Sequence, residues 1–182
     1  FLESLPSPGP ARERAVSHAI ASGRLDAPIW APARCGPVDL LVSADYLTID
    51  GARIPVSAPN AERAAEALGG VLPTSRMVRA IEDAARATGR LVPFVAWPHW
   101  QGPSQLQRST IQWREANIAG HLDGVAPGTL LAGHLKDVVL ARFMPAGQVV
   151  IFGALDADGK RVQPLYPVAG GKPGHEASFD GG

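Results

Sequence analysis

Apolar positions along this chain change period several times, and each change marks an element. Ala15, Val16, Ala19 and Ile20 recur at helical spacing after Pro10 and before Gly23. Proline fits the first helical position, where its missing N–H would have no partner, and glycine readily ends a helix. The spacing therefore predicts a short amphipathic helix between them. Residues 1–10 hold three prolines and read as an extended arm. Residues 26–37 read as loop, with Trp30 as an anchor onto the core. Val38–Ser43 reads as a strand. Tyr46–Asp50 and Ala52–Val56 read as short strands around Asp50-Gly51, a pair that tolerates the positive φ of a type I′ turn. Pro55 cannot donate to a ladder and argues for an edge.

Helical spacing returns in the middle of the chain. Asn60 is placed to cap a helix over 61–68, ended by Gly69-Gly70. Thr74 or Ser75 caps another over 76–88, ended by Gly89, with Met77, Val78, Ile81, Ala84 and Ala85 as its apolar stripe. Ser104 opens a fourth helix through Ile118, with a mixed face. Beyond Thr129 the pattern turns to strands: one or two within Thr129–Arg142, another over Gln148–Leu155, then a turn at Asp158-Gly159 and Arg161–Leu165. Residues 170–182 form a Gly-rich tail. The strands flank a helical middle instead of alternating with helices. The expected architecture is α+β, one domain over 1–182, with a largely antiparallel sheet formed by N- and C-terminal strands.

Composition narrows the function classes. The chain has 182 residues, room for one ordinary domain, and 46% are hydrophobic, enough for a real core. Only 19% are charged, against about 25% in typical domains. Its 20 glycines and 17 prolines show no period, which excludes collagen-like and repeat architectures. Lys+Arg and Asp+Glu are equal at 17 each, so no basic field exists to neutralise phosphates, and a nucleic-acid partner is not expected. No apolar run reaches the length of a membrane span. A single cysteine, Cys35, excludes an internal disulfide framework and suits a small buried apolar residue. The chain starts at Phe1, which fits either removal of an export signal or a trimmed boundary.

Familiar motifs are missing. The chain has no phosphate-binding P-loop, dinucleotide glycine fingerprint, His-Glu-x-x-His, EF-hand loop or nucleophile elbow. Three weaker constellations carry candidate chemistry. Ala132-Gly-His-Leu-Lys-Asp137 sets His134, Lys136 and Asp137 inside apolar sequence. Charge there carries a desolvation cost unless partners are supplied, and functional sites are where such costs are tolerated. In an extended segment His134 and Lys136 share one face and Asp137 takes the other; a strand end or bulge with a structural ion pair explains the same residues. Trp97-Pro-His-Trp100 and Gln101 offer flat apolar faces with polar contacts at Trp97, His99, Trp100 and Gln101, suited to a sugar ring or extended polymer. The alternative is two indoles covering a small core. His175 and Asp180, among glycines, could supply a base and its orienter, or belong to an unstructured tail.

No cofactor is implied. A divalent metal such as zinc could be assembled on His134, Asp137 and His175, although their spacing is not diagnostic. His18 and His121 read as surface residues. Asp156 and Asp158 are explained by turn chemistry. Ser43-Ala-Asp-Tyr46 has residue types suited to nucleophilic work, but no base stands near it in sequence, and it reads as a strand end.

The stretch Ala132–Leu165, together with Leu72-Pro-Thr-Ser-Arg-Met77, resembles a group of bacterial proteins of unknown activity. The resemblance covers about a quarter of the chain and implies export, without implying an activity. The reading that unites these features is a small secreted or periplasmic hydrolase acting on a polymer, a cell-envelope glycan or peptide. His134, Lys136 and Asp137 would supply acid–base chemistry, His175 or Asp180 would complete the site, and the tryptophan loop would line the groove. The alternative is a non-catalytic carbohydrate- or polymer-binding module using the same tryptophans, and a third is an interaction domain docking through its Pro/Gly-rich arms.

Overall fold

The structure, a computed structural model, describes residues 1–94, 108–140 and 149–168. Helices and short strands mix without alternating, at about 40% helix and 21% strand, which establishes the α+β class. The first helix, α1 (Pro10–Ala21), starts on its proline and buries Val16, Ala19 and Ile20. Gly23 follows with φ 73°. Residues 1–9 before it are not a free arm: Leu2–Ser4 form a turn of 3-10 helix, and Leu5 is buried against Val16, Ile20, Ile49, Ile54 and Ile111.

Residues 30–35, expected as loop, form strand β1 (Trp30–Cys35), paired antiparallel with β2 (Val38–Ser43). Gly36 takes φ 62° at the first turn position with Pro37 second, the pattern of a two-residue type II′ hairpin. Pro32 hid the strand. The N–H of Ala44 donates to Ile29 O, which makes Ile29–Ala44 a bonded pair. Alternation then makes Pro32–Leu41 a non-bonded pair, so the nitrogen that cannot donate faces away from the ladder.

The Asp50-Gly51 turn forms, with both residues at positive φ, but its flanks pair only through the isolated bridge Ile49–Ala52. Pro55 follows within three residues and cannot extend a ladder. Helix α2 (Ala58–Ala67) starts three residues earlier than a cap at Asn60 would give. Pro59 occupies its first turn, where a fixed φ is an advantage. Asn60 is instead buried and ties α2 to α1, its Nδ2 donating to Glu13 O (3.1 Å) and Glu13 Oε2 (2.9 Å). Helix α3 (Ser75–Thr88) starts where Thr74 accepts from the N–H of Met77 and ends at Gly89, as its sequence predicts. Helix α4 (Arg108–Leu122) runs four residues past Ile118, through Gly120.

The described strands divide among three small sheets: the β1–β2 hairpin, a parallel pair of β3 (Arg90–Leu91) with β4 (Leu131–Ala132), and the antiparallel set β5 (Lys136–Val139), β6 (Val149–Leu155) and β7 (Arg161–Val168). N- and C-terminal strands therefore meet through a hub instead of one continuous sheet. The N–H of Leu131 donates to Ala44 O (2.7 Å) at the exit of β2, that of Val92 to Ala132 O (2.9 Å), and those of Leu155 and Ala154 to Gly133 O and Leu135 O. Residues 131–135 thus join all three sheets. Glycine is required beside this hub, because a Cβ at Gly89 would stand 2.1 Å from Leu130 O.

Candidate functional site

His134 occupies the bend between β4 and β5, not a continuous strand. Gly133 makes the bend possible with φ 97°. The Ala44–Leu131 bond pins the exit of β2 against the same bend, so Asp45 and Tyr46 arrive beside His134 from 89 and 88 positions away. Asp45 Oδ1 lies 3.1 Å from His134 Nε2. Asp45 also accepts from Arg53, through Nε at 3.2 Å and in a second, close contact with the Nη2 nitrogen. The remaining arm of Arg53 donates to Glu115 Oε2 at 2.9 Å. Tyr46 sets its ring edge-on to the His134 imidazole, with centroids 4.7 Å apart. Its hydroxyl stands 3.0 Å from Leu135 O and 3.3 Å from Asp137 Oδ2.

Burial and pairing set the charges. Burial by itself would raise the Asp45 carboxyl, but hydrogen bonds from His134 and Arg53 reverse this and hold it well below the usual carboxylate range. Burial lowers His134, with the Asp45 carboxylate opposing and the Arg53 charge assisting. His134 is therefore neutral near pH 7, and its Nε2 carries the proton toward Asp45. That leaves an acceptor lone pair on Nδ1, which is enclosed and makes no well-formed hydrogen bond. Burial raises Glu115 despite its contact with Arg53. Burial and then the Asp137 carboxylate raise the Tyr46 phenol, which stays protonated as a donor.

Tyr46 and Asp45 form a partition between two cavities. The smaller, about 290 Å³, runs between residues 26–29 and 43–48 and the segment after α4. The larger, about 420 Å³, is walled by aliphatic side chains of α1, β2, α2 and the loop into α3, with Asp45, Tyr46, Arg53, Glu82 and Asp137 as its polar end. A mostly apolar cavity with a few convergent polar groups is the usual form of a small-ligand site.

Of the residues singled out by sequence, Asp137 reaches this cavity, and His134 stands behind it with its side chain fully enclosed. The two meet through Tyr46, one at its ring and the other at its hydroxyl. Lys136 pairs in register with Gly153, and its side chain lies outside the described residues. So do Trp97, His99, Trp100, Gln101, His175 and Asp180. Among the described residues no group of three or more His, Cys, Asp or Glu is placed to hold a metal ion. Asp45, Tyr46, Arg53 and Glu115 were missed as site residues. The available signal was Asp45-Tyr46 at a strand end, whose partners His134 and Asp137 belong to a distant segment that only the fold brings beside it. No helix in the described residues is long and apolar enough to cross a membrane. The chain matches no family model, no curated protein and no solved structure.

Proposed function

We infer that the protein is a hydrolase of amide bonds in a peptide polymer, with the 420 Å³ cavity as its substrate site. The observation that carries this reading is the pairing of the Tyr46 hydroxyl with the Asp137 carboxylate at the polar end of an otherwise aliphatic cavity. Such walls favour a peptide with apolar side chains over a glycan, whose hydroxyls would lose their hydrogen bonds against Ile20, Leu25 and Ile49. Asp137 is the general base: it takes a proton from water as the water oxygen attacks the carbonyl carbon. Tyr46 donates its O–H to the oxyanion that forms. Collapse of the intermediate breaks the C–N bond, and Asp137 returns its proton to the leaving nitrogen. His134, Asp45, Arg53 and Glu115 are positioning residues that hold Tyr46 from behind. Export to the periplasm or medium fits a peptide of the cell envelope as substrate.

The test is cleavage of a panel of apolar peptides followed by mass spectrometry. Asp137→Asn and Tyr46→Phe each lower kcat/KM by about a hundredfold or more, with the fold retained by circular dichroism. A panel left uncut, or cut equally well by both variants, overturns the assignment.

A further inference from the structure

The smaller cavity, at about 290 Å³, has the size of the smallest ligand sites, which begin at about 300 Å³. Its body is aliphatic, built from Ala27, Ile29, Leu47, Leu122 and Val125. The loop after α4 closes onto it. Gly128 sits there with φ 82°, and a Cβ at that position would stand 3.1 Å from Ile29 Cγ2.

The polar groups of this wall are one-sided. Its side-chain donors are the hydroxyls of Ser43, Tyr46, Thr48 and Thr129, and each already donates within the chain. Ser43 gives its proton to Asp45 O, Thr48 to Asp26 Oδ2, Thr129 to Ala126 O, and Tyr46 to Leu135 O and Asp137 Oδ2. A hydroxyl has one proton and two lone pairs, so what these groups still offer a ligand is acceptor capacity.

The two carboxylates of the wall differ. Asp45 is matched by Arg53 and bonded to His134. Asp26 accepts from the Thr48 hydroxyl and from the N–H of Gly51 (2.7 Å), both at Oδ2. Among the described residues no cation pairs with Asp26, no donor reaches its Oδ1, and no Lys, Arg or His lines the cavity. Aliphatic walls, spare acceptors and a carboxylate without a counter-charge complement a ligand that brings donors and positive charge on an apolar body. A carboxylate on the same ligand would meet no free side-chain donor and would face Asp26 and Asp45.

We propose that the smaller cavity binds a small primary amine that carries no carboxylate, with its ammonium on Asp26 and its hydrocarbon body against Ile29, Leu122 and Val125. The site borders the larger cavity through Asp45 and Tyr46, but it does not rest on the hydrolase reading.

The probes are 2-phenylethylamine, its neutral isostere 2-phenylethanol, and phenylalanine, each titrated into the isotopically labelled protein and followed by amide NMR shifts. The amine saturates shifts at Ala27, Ile29, Leu122 and Val125, and binds about tenfold or more tightly than the alcohol or the amino acid. Asp26→Asn keeps an acceptor for Thr48 and Gly51, removes the charge, and weakens the amine by a similar factor while leaving the alcohol unchanged. Should that variant lose its circular dichroism signature, the three probes on the unaltered protein make the same test. Equal binding of amine and alcohol, equal binding of amine and phenylalanine, or a folded Asp26→Asn that binds the amine undiminished overturns the proposal. So do shifts confined to residues of the larger cavity alone, such as Ile20, Ala61 and Leu68, or the lack of any saturable shift at millimolar amine.

Discussion

His134 Nε2 and Asp45 Oδ1 lie 3.1 Å apart across 89 positions of sequence, at the point where three small sheets converge. The pair is continued by Arg53 and Glu115, which makes a four-membered polar chain in a region otherwise packed with Ala31, Ala44, Ala85, Leu130 and Ala132. Arg53 is its centre, since its side chain is 11% exposed and it contacts both carboxylates.

Arg53→Met roughly keeps the volume and removes the charge, leaving two partly buried carboxylates without their cation. Breaking a buried pair from one side costs roughly 3–5 kcal/mol. Chemical denaturation is expected to show a loss in that range. A loss within experimental error would mean that solvent already screens the network.

Acid sensitivity follows from His134. Its folded-state pKa is lowered by burial from the ordinary 6.5, so below about pH 6.5 the unfolded chain binds the proton more readily and stability falls with pH. The slope from one such group reaches at most about 1.4 kcal/mol per pH unit. Asp45, also lowered, contributes stability that is complete above its ordinary 3.8 and is lost as pH falls below it, so its window is separate. Glu115 is raised and acts in the opposite sense above its ordinary 4.5. The readout is therefore a difference: urea unfolding between pH 5 and 7 should be steeper for the native chain than for His134→Gln. Parallel curves would remove His134 as the cause.

Gly89→Ala places a methyl 2.1 Å from Leu130 O, the carbonyl that accepts the N–H of Arg90 at 2.8 Å. The obstacle is backbone, so β3 and β4 must separate. Overpacking of this kind costs about 1–3 kcal/mol or more, and amide exchange at Arg90 and Val92 should accelerate. Unchanged protection there would show that α3 shifts instead.

Gly153→Ala acts on the site more than on the fold. Gly153 lies at an irregularity in the β6–β7 register with φ 104°, and a Cβ there would stand 2.8 Å from Asp137 Oδ2. Strain from positive φ and displacement of Asp137 from Tyr46 come together. The expected result is a loss of peptide cleavage comparable to Asp137→Asn, with a stability loss of about 1–3 kcal/mol. Full activity would place the reacting carboxylate elsewhere.

The elements that rely on local chemistry were legible in the sequence. Pro10 and Gly23 bounded α1, Thr74 and Gly89 bounded α3, and Asp158-Gly159 joined β6 to β7, because caps and turns are made by neighbours. Strand β1 was not legible, since its proline is tolerated only through a pairing phase set by Gly36-Pro37 and Ala44. Asn60 looked like a cap because it precedes a helical run, yet its partner Glu13 lies on another helix. The site divides the same way. His134 and Asp137 stood out as polar residues in apolar sequence, whereas Asp45, Arg53 and Glu115 acquire their meaning only when the Ala44–Leu131 bond brings distant segments together.

Pro32 has a further effect on association. Its ring denies β1 an outward donor at the middle of the strand, while among the described residues no backbone group outside the hairpin pairs with the opposite margin at Leu41. The hairpin can therefore grow in one direction only. Two copies could meet β2 to β2 and close as a symmetric pair, but the margins left exposed by that union would both be proline-blocked. Assembly through this sheet stops at two molecules and cannot propagate as a fibre.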